Sequence, residues 1–178
     1  MKELSLHILD IAENSISACA SHIEISIMEE SSADLLRIRI SDDGKGMNAE
    51  TVGKLTDPFF TSRTTRRVGL GLPLLKEAAE ACAGGLQIHS VPGRGTTIEA
   101  VFQNSHIDRM PMGDLVGTLI TLLIGSPEVN WKFIYARDAD IFVFDSTLVK
   151  ETLGEIPYSD PFVLKWIKET LREGIPEA

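Results

Sequence analysis

"SDDGKGMNAE", residues 41–50, decides how this chain is read. Two acids, a Lys and two glycines follow directly on Leu36, Ile38 and Ile40, which alternate with Arg37 and Arg39 as a half-buried strand does. Acids and glycines at a strand end make an ordinary turn. They also make a place where a carboxylate and bare backbone meet a ligand, because a glycine lets the chain pass close to a flat ring.

The neighbouring segments frame that stretch. Ile23, Ile25 and Ile27 alternate with Glu24 and Ser26, a second strand, separated from the first by the turn-rich "EESSAD". Before it, Leu4, Ile8, Ile11 and Ile16 recur at helical spacing, which predicts an amphipathic helix over residues 2–20. After it come a short helical piece near 48–55 and the aperiodic "TDPFFTSRTTRRVG" (56–69), read as a loop. A helix over Leu70–Ala83 is closed by Gly84-Gly85. "LQIHSV" (86–91) and "TTIEAVF" (96–102) form a hairpin around "PGRG". Past "QNSH" the spacing predicts a helix over 112–125 and a hairpin of "WKFIYA" (131–136) and "IFVFD" (141–145). Two closing helices follow, each opened by an Asp N-cap. The aromatics of that hairpin, Trp131, Phe133, Tyr135, Phe142 and Phe144, are read as a small core rather than a ligand box. This organisation predicts a module over 1–104 and an αββαα extension over 105–178, with a partner or dimer surface on the extension.

Composition narrows the function classes. The chain has 178 residues, 43% hydrophobic and 24% charged, as expected of a globular protein. A formal net charge of −9 argues against broad binding to nucleic acid or to anionic membranes. Cys19 and Cys82 stand far apart in no metal-binding pattern, so neither a zinc site nor a disulfide framework is implied. The N-terminus lacks the apolar core of a signal peptide, and "LVGTLITLLIG" (115–125) is too short to span a bilayer. A cytoplasmic protein is expected.

Three stations carry chemistry. Asp10 and Asn14 lie one helical turn apart and project from one face. An Asn carbonyl suits Mg²⁺, and a carboxylate one turn earlier can orient or deprotonate a water; a solvent-facing surface pair is the plain alternative. Asp42, at the strand end before Gly44 and Gly46, can accept a hydrogen bond from an exocyclic amine such as that of adenine. "GLGL" (69–72) opens a helix, where Gly69 and Gly71 leave backbone amides bare for an anion. Thr61, Ser62, Arg63, Arg66 and Arg67 in the preceding loop offer donors to phosphate oxygens.

Together and in this order, these boxes resemble the GHKL (Bergerat-fold) ATP-binding domain of histidine kinases, type II topoisomerases, MutL proteins and large heat-shock chaperones. "LDIAENSISACASHIEISI" is similar to the MutL version of the first box. "DPFFTS" and "VGLGLPLLKEAAEACAGGLQIHSVPGRGTTIEAVF" are similar to the histidine-kinase version. The resemblance covers residues 3–102. It implies an α+β fold, a two-layer α/β sandwich, that binds ATP and Mg²⁺. Asn14 matches the metal-coordinating Asn, Asp42 the adenine-recognising acid, and Gly44, Gly46, Gly69 and Gly71 the glycine boxes. Thr97 matches the position that helps hold the adenine-side water. Met47, Thr61, Arg63, Leu70 and Leu72 complete the expected nucleotide-binding set.

Two departures shape the expected activity. ATP-hydrolysing relatives carry Glu where this chain has Asp10, one methylene shorter, and catalytic geometry tolerates misplacements of only about 1 Å. A histidine kinase also needs a phosphoacceptor hairpin, and only about a dozen residues precede Asn14, so none is expected before the module. His7, on the first helix, is read as a packed or surface residue. The expectation is a stand-alone kinase or slow ATPase acting on a partner that supplies the acceptor, with Asp10 as its catalytic residue. The alternative is a non-catalytic ATP/ADP-dependent switch.

Overall fold

The computed structural model describes residues 2–55 and 71–176. The elements run α1 (Leu4–Ser17), β1 (His22–Glu30), β2 (Leu35–Asp42), α2 (Ala49–Leu55), α3 (Gly71–Ala81), β3 (Gly85–Val91), β4 (Gly95–Gln103), α4 (Leu115–Gly125), β5 (Asn130–Arg137), β6 (Asp140–Asp145), α5 (Ser146–Leu153) and α6 (Pro161–Gly174). The strands form one six-stranded sheet in the order β3-β4-β2-β1-β5-β6. All neighbours are antiparallel except β1 and β5, which run parallel.

Strand alternation divides the sheet into two chemically different faces. Ile25 stands between Ile40 on β2 and Phe133 on β5, and Ile27 between Ile38 and Tyr135, so one face is apolar across three strands. Arg39, Ser26 and Ile134 share a row on the opposite face. Against the apolar face α1 contributes Leu4, Ile8 and Ile11, α3 Leu75 and Ala79, α4 Leu119 and Leu122, and α6 Val163, Ile167 and Leu171, all in one continuous core. The helix layer follows the sheet, with α3 beside α1, α1 beside α4 and α4 beside α6. Burying each such side chain contributes about 1.5–3 kcal/mol before the cost of ordering it. This is the two-layer α/β sandwich that the sequence implies.

Residues 105–176 fold in the expected αββαα order, and their strands continue the same sheet. β5 hydrogen-bonds along β1, placing Trp131, Phe133 and Tyr135 in the shared core. Trp131 donates its indole N–H to Ser126 O at 3.0 Å, and its rings pack on Phe133, which stacks on Phe144. The N-caps are also as expected, Asp145 accepting from Thr147 N–H and Asp160 from Phe162 and Val163 N–H.

The stretch before α4 positions α1. The Glu3 side chain does not cap this helix. Instead Leu4 and Ser5 donate their first-turn N–H groups to Pro111 O and Met112 O at 3.0 and 2.8 Å. Among the described residues, no helix is long and apolar enough to cross a membrane.

Candidate functional site

A cleft of about 530 Å³ opens between α1, the β2–α2 connection and the start of β4. That volume suits a small-molecule ligand. Ile11, Leu55, Leu72 and Ile98 line it with apolar surface, and Asn14, Ser15, Asp42, Lys45 and Thr96 supply polar groups.

Asp42 is the most constrained of these. Its Oδ1 accepts from Gly44 N–H at 2.9 Å and from Thr96 N–H at 3.2 Å. Its Oδ2 accepts from the Ser15 hydroxyl at 2.6 Å. The carboxylate is thus held from its own loop, from β4 and from α1, and a carboxyl group has acceptor capacity left over for a donor in the cleft. The adjacent Asp43 does different work. It accepts from Ser21 N–H, His22 N–H and His22 Nδ1 at 2.7, 2.9 and 3.0 Å, fastening the loop to the start of β1. Burial opposes its ionisation, but the bonds from His22 and Ser21 outweigh it and hold the carboxyl below its ordinary range.

The glycines are where backbone needs room. At Gly46, with φ +62°, an added Cβ would sit 2.0 Å from Val91 O. This packs the loop against the end of β3, and Met47 N–H donates to Ser90 Oγ at 2.8 Å. A Cβ on Gly44 would lie 2.9 Å from Ala18 O at the end of α1. At Gly71 it would lie 1.9 Å from Asp10 Oδ2.

Asn14 lines the cleft, and its side chain makes no hydrogen bond among the described residues. Asp10 does not line it. Its Oδ2 is buried without a hydrogen-bond partner among the described residues, pressed against the start of α3. His7, one turn earlier and buried, has Nδ1 3.3 Å from Gly71 O. A carbonyl only accepts, so Nδ1 carries the proton. Desolvation lowers the His7 pKa below its ordinary value, against the raising effects of the Gly71 bond and the Asp10 charge. The packed reading of His7 holds.

One predicted residue is misplaced. Thr97 faces away from the cleft, its hydroxyl 2.8 Å from Ser41 Oγ on the far face of the sheet. The reason is register: β2 and β4 pair Asp42 with Thr96 and Ser41 with Thr97, so Thr96 shares Asp42's face. The Thr96 hydroxyl is 2.8 Å from Ser90 Oγ, which also bonds Met47 N–H and Gly95 O. Thr96 and Ser15 therefore line the candidate cleft, with Ser90 bonded to Thr96, and the sequence reading named none of the three. The alternation of Thr96 with buried Ile98, Ala100 and Phe102 carried the signal for the first. Asn14, Asp42, Gly46, Met47 and Leu72 all line the cleft, while Gly44 and Gly71 shape its walls from behind. Thr61, Arg63, Gly69 and Leu70 lie outside the described residues.

Residues 2–106 match the family model of histidine kinase-, DNA gyrase B- and HSP90-like ATPases. This chain belongs to that family. Among curated relatives it is similar to the sensor protein kinase FleS of Pseudomonas aeruginosa, at 44% identity over 50% of this chain and 22% of that protein. It is also similar to the sensor histidine kinase ZraS of Escherichia coli K12, at 31% identity over 51% of this chain and 19% of that protein. The match thus spans about a fifth of the length of these relatives. Among solved structures, the Aquifex aeolicus MutL ATPase domain complexed with ADP superposes with a TM-score of 0.51 at 15% identity. It covers 86% of this chain and 69% of that one. At that identity the likeness concerns the fold, and its reach past residue 106 takes in part of the extension.

Proposed function

We propose that this family member binds ATP with Mg²⁺ in the cleft beside Asp42 and uses it as a histidine-kinase-like kinase or slow ATPase on a partner protein. The observation that carries the reading is Asp42. Its carboxylate is fixed by three donors in an apolar, glycine-backed cleft, with the Asn14 amide, which makes no hydrogen bond among the described residues, on the α1 wall of the same cleft. Asp42 accepts from the exocyclic amine of adenine, and Ile11, Leu72 and Ile98 cover the ring. Asn14 is the residue suited to a hard cation, which takes oxygen ligands and keeps several waters. When bound, Mg²⁺ and ATP supply a charge-neutralised phosphoryl group. Residues 105–178 offer the surface for the partner or for a second copy, and the reaction takes place in the cytoplasm.

A second reading, an ATP/ADP-dependent switch without chemistry, is favoured by Asp10. Its carboxylate is packed under Gly71 rather than turned into the cleft, a poor start for a group that must hold a water. Incubation with radiolabelled ATP, alone and with cell extract, separates the two. Phosphate release or protein labelling that disappears in Asn14→Ala supports chemistry, whereas nucleotide retention with neither product supports the switch.

A further inference from the structure

We infer that Ser15 is the positioning residue that makes this cleft discriminate between 6-amino and 6-oxo purines. The inference rests on the nucleotide-binding reading above and adds a role for a side chain on α1.

Ser15 is 4% exposed, and its hydroxyl has a single proton. That proton goes to Asp42 Oδ2, since a carboxylate only accepts in this pairing, at 2.6 Å. The other two donors to Asp42, Gly44 N–H and Thr96 N–H, are backbone groups and both converge on Oδ1. Without Ser15, Oδ2 has no donor among the described residues, and the carboxylate is held at Oδ1 alone, about a terminal torsion that is broad and roughly two-fold. With Ser15, Oδ2 is fixed and its remaining lone pair has one direction.

That direction matters because a carboxylate separates the two purine classes by sign. A 6-amino group donates to it, whereas a 6-oxo group presents a second acceptor, and a site built for one leaves polar groups unpaired with the other. A carboxylate held at Oδ1 alone can swing Oδ2 aside and so tolerate the 6-oxo group. Pinning Asp42 removes that escape. Ser15 therefore acts on the ratio of the two affinities more than on either alone.

The test is titration of ATP and inosine triphosphate, which differ only in the 6-substituent and in the N1 proton that accompanies the 6-oxo group, into the full chain with Mg²⁺. It compares wild type, Ser15→Ala and Ser26→Ala. Ser26 is a buried serine on the opposite face of the sheet and controls for loss of a buried hydroxyl. The expected result is a wild-type preference for ATP that Ser26→Ala keeps and Ser15→Ala reduces by about tenfold, the scale of one hydrogen bond to a charged group. Thermal melts of both variants establish that they are folded. Equal weakening of both nucleotides in Ser15→Ala, with the ratio intact, overturns the inference and leaves a merely structural role. A wild-type protein that binds neither nucleotide removes the nucleotide-binding reading itself, a different failure from the first.

Discussion

A methyl group on Gly71 would lie 1.9 Å from Asp10 Oδ2, so the first helix and the start of α3 touch through a carboxylate and a bare Cα. Asp10 is short with its Oδ2 buried, and α1 is fixed at its N-terminus by Pro111 and Met112. Gly71→Ala is therefore expected to cost about 1–3 kcal/mol of stability, the usual range for overpacking. Asp10→Ala in the same chain should return most of it, because the clash is with the carboxylate. Urea unfolding of the two single variants and the double variant measures this, and strictly additive losses would contradict the contact.

The two threonines of "GRGTT" give a sharper comparison. Thr96→Val keeps the shape but removes the hydroxyl that meets Ser90, which also holds Met47 N–H. ATP affinity should fall by roughly five- to tenfold, consistent with the net worth of one hydrogen bond. Thr97→Val, on the far face with Ser41, should leave affinity within about twofold. Parallel titrations decide between the neighbours. The reverse ranking would mean that β4 is shifted by one residue in its register.

His7 ties stability to pH. Burial lowers its folded pKa below the ordinary 6.5, so between those two values the unfolded chain binds the extra proton. The contribution is complete above about pH 6.5 and is lost as pH falls through the folded value. His7→Gln keeps a donor for Gly71 O and has no proton to gain. Thermal melts from pH 7.5 to 5 should therefore show a steeper loss for wild type than for this variant. Parallel slopes would mean that His7 is not held neutral.

Much of the fold was legible because its signals are local. Ile23 to Ile27 and Leu36 to Ile40 alternate cleanly, α1 repeats its apolar residues at helical spacing, and Asp145 and Asp160 cap the helices they precede. What was not legible is non-local. Nothing near Asn130 says that β5 will lie parallel to β1, where it meets His22, 108 positions earlier. Hence an extension in sequence became two of the six strands of one sheet. The site followed the same rule. Asp42 and its glycines declared themselves by spacing, whereas the Ser15 bond spans 27 residues and exists only once α1 is laid over β2. Thr97 was chosen over Thr96 because residue type alone does not say which side of a strand a hydroxyl occupies.

Isothermal calorimetry of the wild-type chain and Asp42→Asn, with ATP and Mg²⁺, bears most directly on the account. Saturable one-to-one binding by wild type, weakened by about 1–3 kcal/mol in the variant, is the expected result. An Asp42→Asn protein that binds as tightly as wild type, or a folded wild type that gives no heat with any adenosine phosphate, would contradict it.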